Sequence, residues 1–142
     1  MLDPESFNWV VESLEFIPQV DMFATRINKQ LPRFYSFRPD PEAEAINAFT
    51  MDWGDIHFYA FPPFICIDRV LQKIRQDKAT GILIVPDWPN QPWYNHFTTM
   101  VRKEFILSPR ERLLGLPSDE TLRHPLRRHL ALRAALVSGI DL

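Results

Sequence analysis

Asp21, Phe61-Pro62-Pro63-Phe64 and Asp87-Trp88-Pro89 are the residues whose types and spacing can do chemistry in this chain. Each group lies in or after a short apolar run: "QVDMFA" (19–24) around Asp21, "IHFYA" before Phe61 and "ILIV" shortly before Asp87. Parallel α/β sheets bind ligands beyond the carboxyl ends of their strands, so the three groups would frame one rim of such a sheet. Pro62 and Pro63 each lack a backbone donor and fix φ, so neither a helix nor a central strand passes through them. The outcome is a stiff, aromatic-flanked corner. Each group also has a plainer account: Pro-Pro fixes a turn without any ligand, and Asp87-Trp88 serves as a cap or packing pair.

Other chemistries find less support. His57, His96, His124 and His129 show no HExxH or comparable metal-ligand spacing, so no metal site is expected. Asp52 and Asp55, around Trp53-Gly54, read as a turn before they read as a metal pair. Cys66 is the only cysteine, which excludes an internal disulfide and a cysteine-based zinc site. It falls on the apolar helix expected after the prolines, as a buried structural thiol does. There is no P-loop, nucleophile elbow or Rossmann glycine fingerprint.

The elements that position these residues alternate between strand and helix. Asp3-Pro4-Glu5 reads as an N-cap, a proline in the first turn and an acidic start. Phe7, Val10, Val11 and Leu14 recur at helical spacing, which predicts an amphipathic helix over 4–15 that stops before Pro18. Strands are predicted over 19–24, 32–39 and 56–61, with a short helix or ordered turn over 40–49 and a turn at 51–55. Ile65, Ile67, Val70, Leu71 and Ile74 mark a helix ending near Asp77, and Gly81 reads as turn punctuation before a buried strand at 82–85. A helix over 91–104 and a strand at 105–107 follow. Residues 107–123 read as a connector, and 124–139 as a closing helix from Pro125 to Gly139. This alternation predicts an α/β fold in three layers, with a mostly parallel sheet flanked by helices.

The chain has 142 residues, 46% of them hydrophobic, and carries a net charge of −2. That length and composition predict one domain, 1–142, in which 108–142 is a connector plus a basic C-terminal helix, and exclude a mainly disordered chain. No apolar run approaches the ~20 residues of a membrane span, so no membrane partner is expected. The acidic, amphipathic opening shows neither a secretory signal nor a lipidation motif, which predicts an intracellular protein, cytoplasmic or nuclear. Residues 1–101 hold 8 basic against 13 acidic side chains, whereas 102–142 hold 8 against 5. Arg123, Arg127, Arg128 and Arg133 would decorate the final helix opposite Leu126, Leu130 and Val137. They are candidate phosphate contacts for DNA or RNA, although solvent exposure alone also accounts for them.

Two blocks, "FATRINKQLPRF" (23–34) and "ILIVPDWPNQPWY" (82–94), resemble the region that follows reverse transcriptase and ribonuclease H in DIRS-type retrotransposons, the elements mobilised by a tyrosine recombinase. The resemblance spans roughly residues 5–139. That region is in turn similar to the phage-type Dam DNA N6-adenine methyltransferases, through the order of an early strand ending in an acid, an (Asn/Asp)-Pro-Pro-(Tyr/Phe) motif, a helix, an apolar strand and a Trp-Phe-like pair. The matching positions here are Asp21, Phe61-Pro62-Pro63-Phe64, 65–77, 82–85 and Trp93-Tyr94. The resemblance implies a Rossmann-like, methyltransferase-like sheet.

In that family the motif's Asn or Asp and the first proline's carbonyl accept hydrogen bonds from the adenine amino group, and the final aromatic stacks on the flipped base. Pro62, Pro63 and Phe64 match, but Phe61 offers no acceptor. Losing one such group commonly costs ~10²–10³ in rate. The resemblance also implies contacts to S-adenosylmethionine from Asp21, Ala24, Asp40 and Asp52, with Thr25 beside Ala24. Yet Gly54, Gly81, Gly115 and Gly139 all lie away from Asp21, where the backbone would need to approach that cofactor closely.

The expectation is therefore a retrotransposon-derived methyltransferase-like domain without catalysis or cofactor. Its role would be structural or nucleic-acid-binding beside the reverse transcriptase/ribonuclease H portion of the same polyprotein. An active S-adenosylmethionine-dependent adenine methyltransferase and a protein-interaction module are the alternatives.

Overall fold

The structure, a computed structural model, describes residues 2–25, 27–36, 39–107 and 131–140. Helix α1 (Pro4–Leu14) forms as its apolar spacing predicts. Asp3 stands extended at the N-cap position, and its carbonyl accepts the Phe7 N–H at 3.0 Å. Glu15 ends the helix in the left-handed conformation (φ 52°), its N–H returning to Val11 and Glu12 carbonyls. The strands are β1 (Val20–Asp21), β2 (Tyr35–Ser36), β3 (Ala45–Ile46), β4 (His57–Ala60), β5 (Thr80–Pro86), β6 (Val101–Leu107) and β7 (Leu132–Ser138). Helices α2 (Ile67–Asp77) and α3 (Tyr94–Met100) follow β4 and β5.

Five strands form one sheet in the order β1-β4-β5-β7-β6. The β1–β4 and β4–β5 pairings are parallel, and β7 runs antiparallel to both β5 and β6. The short parallel pair β2–β3 continues past β1 through a parallel bridge between Asp21 and Phe34. Across both sheets the order reads β3-β2-β1-β4-β5-β7-β6, with β7 alone reversed. The sequence order thus reverses between β1 and β4, and both strands deliver their carboxyl ends to the same rim.

Two apolar clusters cover the two faces. On one, α2 and α3 pack Val70, Leu71, Ile74 and Phe97 against Val20, Phe58, Leu83, Val85 and Val137. On the other, α1 packs Phe7, Val10 and Leu14 against Tyr59, Ile82, Ile84 and Ala134. The sheet therefore lies between helices, which is the three-layer arrangement expected from its uninterrupted apolar strands.

Four expectations are corrected. The closing helix over 124–139 is not what Leu132–Ser138 forms: this stretch is strand β7, central in the sheet. Leu, Arg and Ala favour helices only by fractions of a kcal/mol per residue, and two long strand partners override that preference. Gly81 is no turn but lies inside β5, opposite Phe58, where an added Cβ would fall against the Phe58 ring and carbonyl. The helix expected over 91–104 ends at Met100, because Val101 already pairs with Val137 in β6. The stretch 40–49, expected as a short helix or an ordered turn, yields the short strand β3 and a 3-10 turn, Ala48–Thr50. The connector 108–123 lies outside the described residues.

A cavity at the carboxyl ends of the strands

Where β1, β2 and β4 end, a cavity of about 690 Å³ opens between the loops that leave them. That volume is in the range of small-molecule sites. β1 supplies Asp21; the loop after it supplies Phe23, Ala24, Thr25, Asn28 and Gln30; β2 supplies Ser36. β4 supplies Tyr59, and the corner after it supplies Phe61, Pro62, Pro63 and Phe64.

Asp21 is buried, 3% exposed. Its Oδ2 accepts the Gln30 N–H at 2.9 Å, which closes the 21–30 loop into a cradle. Thr25 and Asn28 hold that loop internally, with the Thr25 N–H donating to Asn28 Oδ1 at 2.7 Å. Gln30 Nε2 anchors it by donating to the Leu2 carbonyl at 2.5 Å. Burial raises the Asp21 carboxyl to about 6, against the opposing pull of the Gln30 and Phe23 N–H groups. Tyr59 is its register partner on β4 and is 2% exposed. The Tyr59 hydroxyl has no hydrogen-bond partner among the described residues. Burial first, and the neighbouring Asp21 second, push its phenol well above the ordinary value. The phenol ring meets the Phe7 ring edge-on at 4.8 Å.

The proline corner is built by its own backbone. Pro63 is extended (φ −54°, ψ 143°) and caps a 3-10 turn over Phe64–Cys66, the Cys66 N–H donating to the Pro63 carbonyl at 2.9 Å. The Phe64 ring is braced edge-on by Trp88 at 4.9 Å. Cys66 is a buried free thiol, and it lines the cavity rather than resting on a helix face.

Of the residues singled out from sequence, Asp21, Ala24, Phe61, Pro62, Pro63 and Phe64 come together here. Asp40 and Asp52 do not line the cavity. Asp40 Oδ1 accepts the Glu42 N–H in a turn, and Asp52 Oδ1 accepts the Gly54 N–H ahead of β4, toward the opposite end of that strand. Asp87 is taken up structurally: its Oδ1 accepts the Tyr94 hydroxyl at 2.9 Å and Arg133 Nη2 at 3.2 Å.

Arg133 also binds Glu104 at 2.8 Å and sits 5.7 Å over the Tyr94 ring. It is therefore an internal ion-pair residue on β7, not a phosphate contact on an outward helix face. Arg123, Arg127 and Arg128 lie outside the described residues.

Tyr59 was missed in the sequence, although its period-2 spacing from Phe61 puts the two on one face of the strand. Asn28, Gln30 and Ser36 carried no signal, because only the loop geometry brings them to the rim. Among the described residues no group of three or more acidic, histidine or cysteine side chains can hold a metal ion, and no helix is long and apolar enough to cross a membrane. Compared with known proteins, the chain matches no family model and no curated protein.

Proposed function

We propose that this chain is a methyltransferase-like domain of the kind that follows reverse transcriptase and ribonuclease H in DIRS-type retrotransposons. In this reading it has lost adenine N6 transfer and acts in a structural or nucleic-acid-binding role beside the reverse transcriptase.

One observation carries the reading. The Phe61 phenyl borders the cavity at the position where the family motif requires a hydrogen-bond acceptor, while Pro62, Pro63 and Phe64 keep the rest of the corner. An amino group brought there finds no acceptor in that side chain, and a buried donor left unpaired costs about 1–3 kcal/mol. The strand order supports the lineage: it reverses between β1 and β4, and the cavity opens at that switch point, as in Rossmann-like sheets. The reversed β7 inside an otherwise parallel edge is compatible with a methyltransferase-like sheet.

A second reading, an active S-adenosylmethionine-dependent adenine methyltransferase, is favoured by the openness of the corner, since side chains do not plug it. Ala24 and Thr25 leave room at the end of β1, and Asp21 offers an acceptor there. Calorimetry with S-adenosylmethionine, run beside label transfer to single- and double-stranded DNA, separates the two. The first reading predicts no transfer; cofactor binding with transfer establishes the second.

A further inference from the structure

The walls of the cavity indicate what it can hold. Four aromatic side chains, Phe23, Tyr59, Phe61 and Phe64, line it together with the Asp21 carboxyl. The other polar lining groups, on Thr25, Asn28, Gln30 and Ser36, are neutral, and no lysine or arginine lines it among the described residues. A desolvated carboxylate is stabilised by hydrogen bonds, by a counter-charge or by a proton, and Asp21 has the N–H groups of Gln30 and Phe23 but no counter-charge among the described lining residues. Aromatic ring faces attract organic cations, more strongly when both are withdrawn from water. Acid and rings therefore favour the same kind of guest, a positive charge clothed in carbon.

We propose that the cavity binds a small alkylated ammonium ion, with Asp21 as its counter-ion, the aromatic rings around its alkyl groups, and the Tyr59 hydroxyl bonded to a polar group on the same molecule. Tyr59 supplies the second polar contact because its buried hydroxyl has no partner among the described residues. Phe61 has a positive role here: the ring that cannot accept from an amino group adds a wall to a cation site. The proposal does not depend on the methyltransferase lineage, and a failed methylation assay leaves it standing.

The test is calorimetric titration of the full chain with choline and, separately, with dimethylbutanol, the uncharged carbon isostere of choline. At about pH 8, where carboxyls are ionised, choline is expected to bind at least about tenfold more tightly. Asp21→Asn keeps an acceptor for the Gln30 N–H and is expected to erase that preference. Phe61→Ala is expected to weaken choline several-fold with an unchanged far-ultraviolet circular dichroism spectrum, and it carries the test if Asp21→Asn does not fold. Equal affinity for the two isosteres, no choline binding by folded protein at millimolar concentration, or undiminished choline binding by a folded variant overturns the proposal.

Discussion

Asp21 and Tyr59 stand opposite one another on neighbouring parallel strands, both buried, with an acid on one side and an unpartnered hydroxyl on the other. Burial lifts the Asp21 carboxyl from 3.8 to about 6. A raised carboxyl binds its proton more tightly in the folded chain, so its stabilising contribution is complete below about pH 4 and is lost as pH rises through about 6. The full span is on the order of 3 kcal/mol. Asp21→Asn removes this dependence, and its stability should gain on the native chain between these two pH values. Urea unfolding of both proteins across that range measures the effect; a constant difference between them would contradict it.

Gly81 has no room for a side chain beside Phe58. Gly81→Ala should destabilise the chain by roughly 1–3 kcal/mol, the usual cost of overpacking, through displacement of Phe58 in the core. Thermal unfolding should show a clear drop in midpoint. An unchanged midpoint would mean that β4 and β5 are not in the register that pairs these two residues.

Arg133 bridges Asp87 and Glu104 over the Tyr94 ring. Arg133→Ala leaves the Asp87 and Glu104 carboxylates without the cation they share, and about 1–2 kcal/mol of stability should go with it, less than a fully buried pair would lose. Its effect on nucleic-acid affinity should be small at temperatures where the variant stays folded, because the side chain is committed inside the protein. Denaturant titration and filter binding of the same variant distinguish these roles. A stable variant with weakened, less salt-sensitive binding would return Arg133 to a phosphate contact.

The Phe64 ring leans on Trp88, which joins the proline corner to the end of β5. Trp88→Ala should free Phe64 and lower the affinity of any cavity ligand several-fold, at a cost of about 1 kcal/mol from the lost aromatic pair. Ligand titration with the variant checks this. Unchanged affinity would show that Phe64 needs no brace.

Much of this arrangement is legible in the sequence where local signals and tertiary demands agree. Pro4, the spacing of Phe7, Val10 and Leu14, and the stop before Pro18 specify α1 without reference to the rest of the chain. "ILIV" reads as buried strand because both of its faces are covered, and α2 follows from Val70, Leu71 and Ile74. The rim is legible too, since Asp21 and Pro62-Pro63 each interrupt an apolar run where a strand ends. β7 is not: Leu132–Ser138 is rich in helix formers, and its partners lie 25 or more residues earlier, so only the sheet itself decides its conformation. The strand β2–β3 pair is two residues long on each side, too short for period-2 alternation to register. Gly81 misleads because a glycine required by a close neighbour looks, in sequence, like a glycine required by a turn.

The central claim is that the corner at Phe61 has kept its frame and lost its transfer. Its most direct test is mass-spectrometric detection of N6-methyladenine in adenine-containing single- and double-stranded DNA incubated with the full chain and S-adenosylmethionine. The account predicts no N6-methyladenine above an enzyme-free blank on either substrate. N6-methyladenine that accumulates in proportion to protein, and disappears in Pro62→Ala, would contradict it.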